Sequence, residues 1–320
     1  MNSFFVSFQV VFPIFLMMLL GSFIKKINLV NENTVKQINN VIFRILLPVM
    51  IFKNMYDSSI ADVFNLRLVI FSVVFVIAMI LLLFLVVPLV EKDNSKRGVM
   101  IQAIFRSNFV IFGIPVTQAL CEAASSESLS LTLGSASVLV AVVVPIYNFA
   151  AVITLEVYNN TKPDFVKILK GIITNPLIIA SVLGIIISVT DLKFLSVLES
   201  TMGSVAAITT PLALIMLGAS IRFDSAVKNW KYIAIGVSAR LLIVPSIALA
   251  LAVFVFGFKG ADLIILMSLF ASPVAVSSFT MAQQMGGDSD LAGQLVMFTT
   301  TFSVLSVFMW IVIIISMGLL

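Results

Sequence analysis

The feature that most limits this chain is a succession of long apolar stretches. A helix needs roughly 20 apolar residues to span the hydrocarbon core of a bilayer. Ten segments meet or approach that length: 4–24, 34–55, 68–90, 98–119, 131–158, 171–189, 203–221, 230–256, 262–284 and 291–317. Of the 320 residues, 61% are hydrophobic and only 11% are charged, whereas a soluble domain carries about 25% charge. So few charges could not cover a soluble fold of this size. In lipid every backbone polar group must be satisfied internally, which a helix does on its own. The expected fold is an all-α integral membrane protein with ten transmembrane helices, surrounded by membrane lipid. Spans 2 and 4 are the least hydrophobic, carrying Asn39, Asn40 and Arg44, and Gln102, Arg106 and Asn108.

Several function classes are excluded by what is missing. The single cysteine, Cys121, cannot form a disulfide within the chain, and the absence of histidine removes histidine-based metal sites, triads and proton relays. No nucleotide-binding motif is present, and no paired carboxylates or other catalytic set lies within the spans, so no enzyme, metal or organic cofactor is expected. The net charge of +4 comes from scattered basic residues, which gives no nucleic-acid footprint. Lys25 and Lys26 follow the first apolar run, where a signal peptide would have them before it, so this run reads as a retained helix. Loop charge sets orientation. Odd-numbered loops carry twelve Lys and Arg residues, from Lys25 in the first to Lys231 in the seventh, and even-numbered loops carry only Lys53, Arg67, Lys193 and Lys259. This bias puts the odd loops in the cytoplasm and both termini outside.

Proline placement suggests an internal repeat. A proline in a spanning helix frees a backbone carbonyl that must find another donor, so its position carries information. Pro13 and Pro176 are 163 positions apart, and so are Pro48 and Pro211. Pro88 and Pro245 are 157 apart, and Pro115 and Pro273 are 158 apart. These pairs predict two five-helix repeats, 1–160 and 161–320, with the boundary in the charged linker near 158–170. Five is an odd number of crossings, so the second repeat would be inverted, as in many secondary transporters.

Spans 4 and 9 carry matched interruptions. In span 4, Gly113 and Pro115 predict a break at Gly113–Ile114. In span 9, Ser272 could cap a new helix with Pro273 as its first residue, followed by Val274 and Ser277. A helix restarted at mid-membrane offers free N–H groups and the positive end of a dipole. Two such starts, with Asn108, Ser272 and Ser277 nearby, would make an anion site built largely from backbone. The candidate substrate-binding residues are therefore Asn108, Gly113, Ile114, Pro115, Ser272, Pro273, Val274 and Ser277. One mismatch remains, since Pro115 falls deeper in its span than Pro273 does in its own.

At this point the sequence resembles the auxin efflux carrier family, and within it the bacterial branch of malate and malonate permeases. The resemblance rests on LLPVMIF at 46–52, NFVIFGIP at 108–115, TTPLALIMLG at 209–218, RLLIVP at 240–245, and Ala271, Ser272 and Pro273, in that order over nearly the whole chain. It implies crossing broken helices 4 and 9 with a carboxylate substrate between them, and a homodimer. The long central loop of the plant members is replaced here by a short linker.

Arg106, Arg240 and Lys53 stand out as supporting or gating residues. Arg106 could attract an anion, or pair with a lipid headgroup or a backbone carbonyl near the interface. Arg240 precedes Pro245 by five residues and could satisfy the carbonyls that proline frees; Arg44, one turn before Pro48, reads the same way. Lys53 with Asp57 could gate or couple, or simply snorkel to the interface. No carboxylate lies near a span centre, so coupling to a proton or to sodium is open, with Thr299, Thr300, Thr301, Ser303, Thr209 and Thr210 as oxygen donors for sodium. The expected function is secondary transport of a small organic anion across the cytoplasmic membrane by alternating access. The alternative is a channel or a ligand-sensing receptor on a carrier-like fold.

Overall fold

The computed structural model describes residues 3–57, 64–123, 129–158, 170, 173–174, 176–190, 193–220 and 229–319. The linker basic residues Lys162 and Lys167, together with Pro163, Arg222 and Lys228, lie outside the described residues. The described chain is helical, with one isolated antiparallel bridge between Ser107 and Val274. Among the described residues, seven helices are long and apolar enough to cross a membrane, and three shorter apolar helices accompany them: Phe109–Ala123, Pro176–Ile187 and Gly260–Ala271.

Packing divides the chain into two compact units, and each draws on both sequence halves. The first comprises Met1–Leu66, Ile114–Ala141 and Gly171–Ile221; the second comprises Arg67–Gly113, Val142–Lys170 and Arg222–Leu320. The boundary between proposed repeats therefore differs from the boundary between packed bodies.

In the first unit, α1 (Ser3–Lys26) packs along α9 (Ser196–Ser220). The segments α2 (Glu32–Val41) and α3 (Leu47–Tyr56) form one span, with α3 between α9 and α8 (Pro176–Thr190). The α1–α9 contact is backbone against backbone. A Cβ on Gly218 would lie 1.9 Å from the Met18 carbonyl oxygen, and one on Gly21 would lie 1.8 Å from that of Ile215. The Ser22 hydroxyl uses this proximity to donate to the Gly218 carbonyl at 2.9 Å. Small residues let membrane helices approach this closely, and dispersion and hydrogen bonding then hold them together where no hydrophobic drive exists. The two remaining pieces of this unit are α6 (Ile114–Ala123) and the start of α7 (Leu129–Tyr158).

The second unit contains α4 (Leu66–Val90), α5 (Asn94–Phe105), the end of α7, α10 (Trp230–Ser238), α11 (Val244–Ala250), α12 (Gly260–Ala271), α13 (Ser277–Gln284) and α14 (Ser289–Ser316). Phe71 and Phe75 of α4 meet Phe270 of α12, and Phe71 also contacts Phe256 and Phe258 edge-on. Such aromatic contacts add roughly 0.5–1.5 kcal/mol each beyond area burial.

The prolines resolve into three local solutions. Pro48, Pro115 and Pro245 each follow a five-residue π-helical turn, at Ile42–Leu46, Phe109–Gly113 and Ala239–Ile243. In each case the residue four before the proline is the middle of that turn. Widening the turn there relieves the clash of the proline ring with that carbonyl and tolerates the missing N–H. Pro13, Pro88 and Pro211 sit inside continuous α-helices, while Pro176 starts α8. Pro273 alone among the described prolines lies in non-helical backbone. Members of a proline pair thus differ in local conformation.

The glycine contact gives a direct test. Gly218→Val should lower the unfolding free energy by about 1–3 kcal/mol through overpacking, read as a lower melting temperature in detergent. Gly203→Ala on the same helix, where a Cβ meets nothing within 4 Å, should be neutral or raise stability by up to about 1 kcal/mol. Equal losses at both positions would remove the close-contact explanation.

Candidate functional site

Two helices of the second unit stop after equal lengths. α5 and α12 are each 12 residues long and end in extended backbone at Arg106 (φ −84°, ψ 108°) and Ser272 (φ −64°, ψ 149°). The interruption of span 4 therefore lies at Arg106–Asn108, and not at Gly113–Ile114 as the proline and glycine suggested. The proline there is absorbed by the π turn. Gly113 serves a different purpose: a Cβ on it would lie 2.7 Å from the Ser268 carbonyl and 2.9 Å from the Ser272 hydroxyl, so it permits close approach to the end of α12. This relocation also removes the mismatch in depth between the two interruptions.

The interruptions pair with each other. The Asn108 N–H donates to the Pro273 carbonyl at 2.8 Å, and the Ala275 N–H donates to the Arg106 carbonyl at 3.2 Å. The Ser107 hydroxyl donates to the Leu269 carbonyl at 2.6 Å. Leu269 is four residues before Pro273, so this is the carbonyl that Pro273 frees. The Val274 N–H donates to Thr299 Oγ1 at 3.2 Å, tying the second interruption to α14. Each exposed backbone group at the breaks named here is thus answered by another element, as burial requires.

Ser272 and Pro273 do not open the new helix. Ser272 ends α12, its hydroxyl donating back to the Ser268 carbonyl, and α13 starts four residues after Pro273. The pairing rung occupies the residues in between. Ser272 and Val274 are each 1% exposed. Ser277 is exposed, whereas its neighbour Ser278 is buried with a hydroxyl that has no partner. Ile114 and Pro115 are buried and belong to the first unit at the start of α6. Asn108 is 4% exposed, its carbonyl accepts from the Phe112 and Gly113 N–H groups, and its Nδ2 is buried without a partner.

Arg240 is wholly buried and binds backbone only. Its Nε donates to the Ser272 carbonyl at 2.8 Å, Nη1 to Ile104 at 3.1 Å and Phe105 at 3.4 Å, and Nη2 to Leu269 at 3.2 Å. It closes the carbonyl ends of α5 and α12. The carbonyl freed by Pro245, at Leu241, is instead satisfied by the Trp310 indole N–H at 3.0 Å. The expectation that Arg240 serves Pro245 is therefore corrected: it serves the two interruptions, because those ends expose several unpaired carbonyls and Pro245 exposes one.

Arg106 lies 6% exposed against α13 and the end of α7. Its guanidinium donates to Asn148 Oδ1 at 2.7 Å and to the Met281 thioether, a weak acceptor. Gln102, one turn earlier, also reaches Met281, and its Oε1 is buried without a partner. The salt bridge found among the described residues is elsewhere, between Lys53 and Asp57 in the first unit. There Lys53 Nζ is 2.6 Å from Asp57 Oδ2 in an i,i+4 helix pair, an arrangement worth a few tenths of a kcal/mol. Arg44 is exposed.

Sequence reasoning missed Gln102 as a ligand candidate, and Ser107, Asn148, Met281 and Ser278 altogether. Asn148, beside Tyr147 in an otherwise apolar run, was the visible signal: an amide in the middle of a span needs a reason. Most hydroxyls considered for sodium donate to backbone carbonyls, which leaves their oxygen lone pairs available; Thr300 Oγ1 is buried without a partner. Thr299 accepts from Val274 and donates to Leu295, Thr301 donates to Met297, Ser303 to Thr300, and Thr209 to Leu46 and Val205.

Comparison with known proteins agrees with this architecture. A family model described as membrane transport protein matches residues 6–311. The chain is 24% identical over 316 residues to an uncharacterized transporter of Methanocaldococcus jannaschii, covering 95% of this chain and 98% of that one. It is 22% identical over 312 residues to an uncharacterized transporter of Methanothermobacter thermautotrophicus, covering 96% and 98%. With interrupted apolar helices, several membrane-length spans and a family match along nearly its whole length, the chain belongs to the membrane transport protein family of auxin efflux carriers and is a multi-pass membrane protein.

Proposed function

We propose that this protein is a secondary carrier of small organic anions, carboxylates above all, working by alternating access across the cytoplasmic membrane. The observation that carries this is Arg106. A buried guanidinium normally lies against a carboxylate, because an uncompensated charge in low dielectric costs several kcal/mol. Arg106 instead has an amide oxygen and a thioether, neither of which carries a negative charge. A buried guanidinium without a carboxylate calls for an anion. Arg106 and Asn108 are alternate residues of an extended segment and so share a face, with the unpartnered Asn108 Nδ2 as a further donor.

Ten spans in two inverted five-helix repeats fit this reading. The matched 12-residue helices α5 and α12, and the opposite chain directions of the rung between Ser107 and Val274, support the inverted relation. In this reading both termini are outside. A cysteine introduced at residue 2 should be labelled by an impermeant reagent in intact cells, with buried Cys121 silent. Labelling only after the membrane is opened would reverse the topology.

The function is tested by counterflow into proteoliposomes with a panel of mono- and dicarboxylates. Saturable exchange is expected. Flux linear in concentration would indicate a channel, and binding without flux a sensor. For the anion that gives counterflow, Arg106→Gln and Asn108→Ala should each weaken apparent affinity about 10-fold or more, the loss of one hydrogen bond to a charged group. Pro273→Ala, which lets α12 continue, should also weaken it. Unchanged kinetics in all three would sink the proposed site.

A further inference from the structure

The cage around Arg240 is made of the groups that hold coupling cations in carriers with interrupted helices, namely half-helix C-terminal ends and unwound backbone carbonyls. Here the carbonyls of Ile104, Phe105, Leu269 and Ser272 lie 2.8 to 3.4 Å from guanidinium nitrogens. The side chain that fills the cage is tethered to the neighbouring span and has 0% exposure. Each helix C-terminus carries roughly half a negative charge, so the ends of α5 and α12 together present about one unit. One guanidinium balances them, with no carboxylate needed. A second cation in the same cage would meet like charge in low dielectric, with the carbonyl oxygens already engaged.

We propose that Arg240 is a built-in counter-cation. It occupies the seat that a coupling sodium ion would otherwise take, so the paired interruptions are held together, and receive their anion, without sodium. The anion part rests on the carrier reading; the cation seat is a property of the fold alone.

The first test uses the unaltered protein. Thermal unfolding in sodium chloride, potassium chloride and choline chloride at matched ionic strength should give equal melting temperatures at every concentration. A saturable rise specific to sodium would overturn the proposal. The second test opens the cage. Arg240→Ala should melt well below wild type, and ethylguanidinium should recover more than half of the loss, whereas tetramethylammonium, which has no N–H donors, should recover little. Equal effects of the two cations would overturn the proposal. If the alanine variant yields no folded protein, Arg240→Lys and Arg240→Met decide: the lysine, which keeps a charge and three donors, should give folded protein in clearly higher yield. Equal yields would overturn the proposal. None of these readouts requires transport. A negative counterflow screen leaves this inference standing, and counterflow that demands sodium defeats it while leaving the carrier intact.

Discussion

One buried guanidinium holds the second unit's most demanding region together. Interrupting two apolar helices leaves carbonyls that water cannot reach, each costing on the order of 1–3 kcal/mol if unpaired. Arg240 answers four of them with a single side chain, drawn from α5 and α12 alike. Guanidinium suits this task because it presents five donors in a rigid plane and is less strongly hydrated than an ammonium, so desolvating it costs less. The interruptions can then pair with each other, edge to edge, and leave side chains such as Asn108 to project from an ordered backbone.

The two arginines near the interruptions differ in what they bind. Arg240 gives four of its five N–H donors to backbone carbonyls. Arg106 is held by one amide oxygen and one weak thioether acceptor, two bonds against five N–H donors. The difference follows from where each is attached. Arg240 approaches from another span toward the negative ends of helices, and Arg106 sits in the break itself, beside Asn148 and Met281. Attachment thus separates a cation that locks backbone carbonyls from one that reaches only side-chain acceptors.

Much of this was legible in the sequence, and the errors share a cause. The apolar runs gave the membrane class, and glycine, serine and proline pointed to the correct two spans. Span 9 was read to within a few residues because Ser272 and Pro273 do leave the helix. Span 4 was misplaced because Pro115 was read as a helix breaker, when a π turn over Phe109–Gly113 accommodates it. Arg240 was assigned to its local proline, although its acceptors lie up to 136 residues away. Trp310, which serves that proline, is 69 residues from Leu241. Local patterns disclose which backbone groups need partners; they do not disclose which distant side chain supplies them. Ser277 against Ser278 is the smallest version of this limit, since adjacent serines on one short helix differ only in the face they occupy.

The π turns carry one more consequence. Each holds one residue more than an α-helical turn would, and in an α-helix successive side chains are rotated by about 100°. Every residue after Leu46, Gly113 or Ile243 is therefore out of phase with the residues before the turn. A stripe of apolar or polar positions that runs down the first part of such a span changes face at the turn. Removing one residue from Ile42–Leu46 or Ala239–Ile243 would give back the proline clash that the turn relieves. It would let the turn close to α geometry, bring the two parts back into phase, and present a different side of the span to its neighbours. In this fold a single-residue deletion at those places acts as a rotation, so insertions and deletions among related chains need not mark loops.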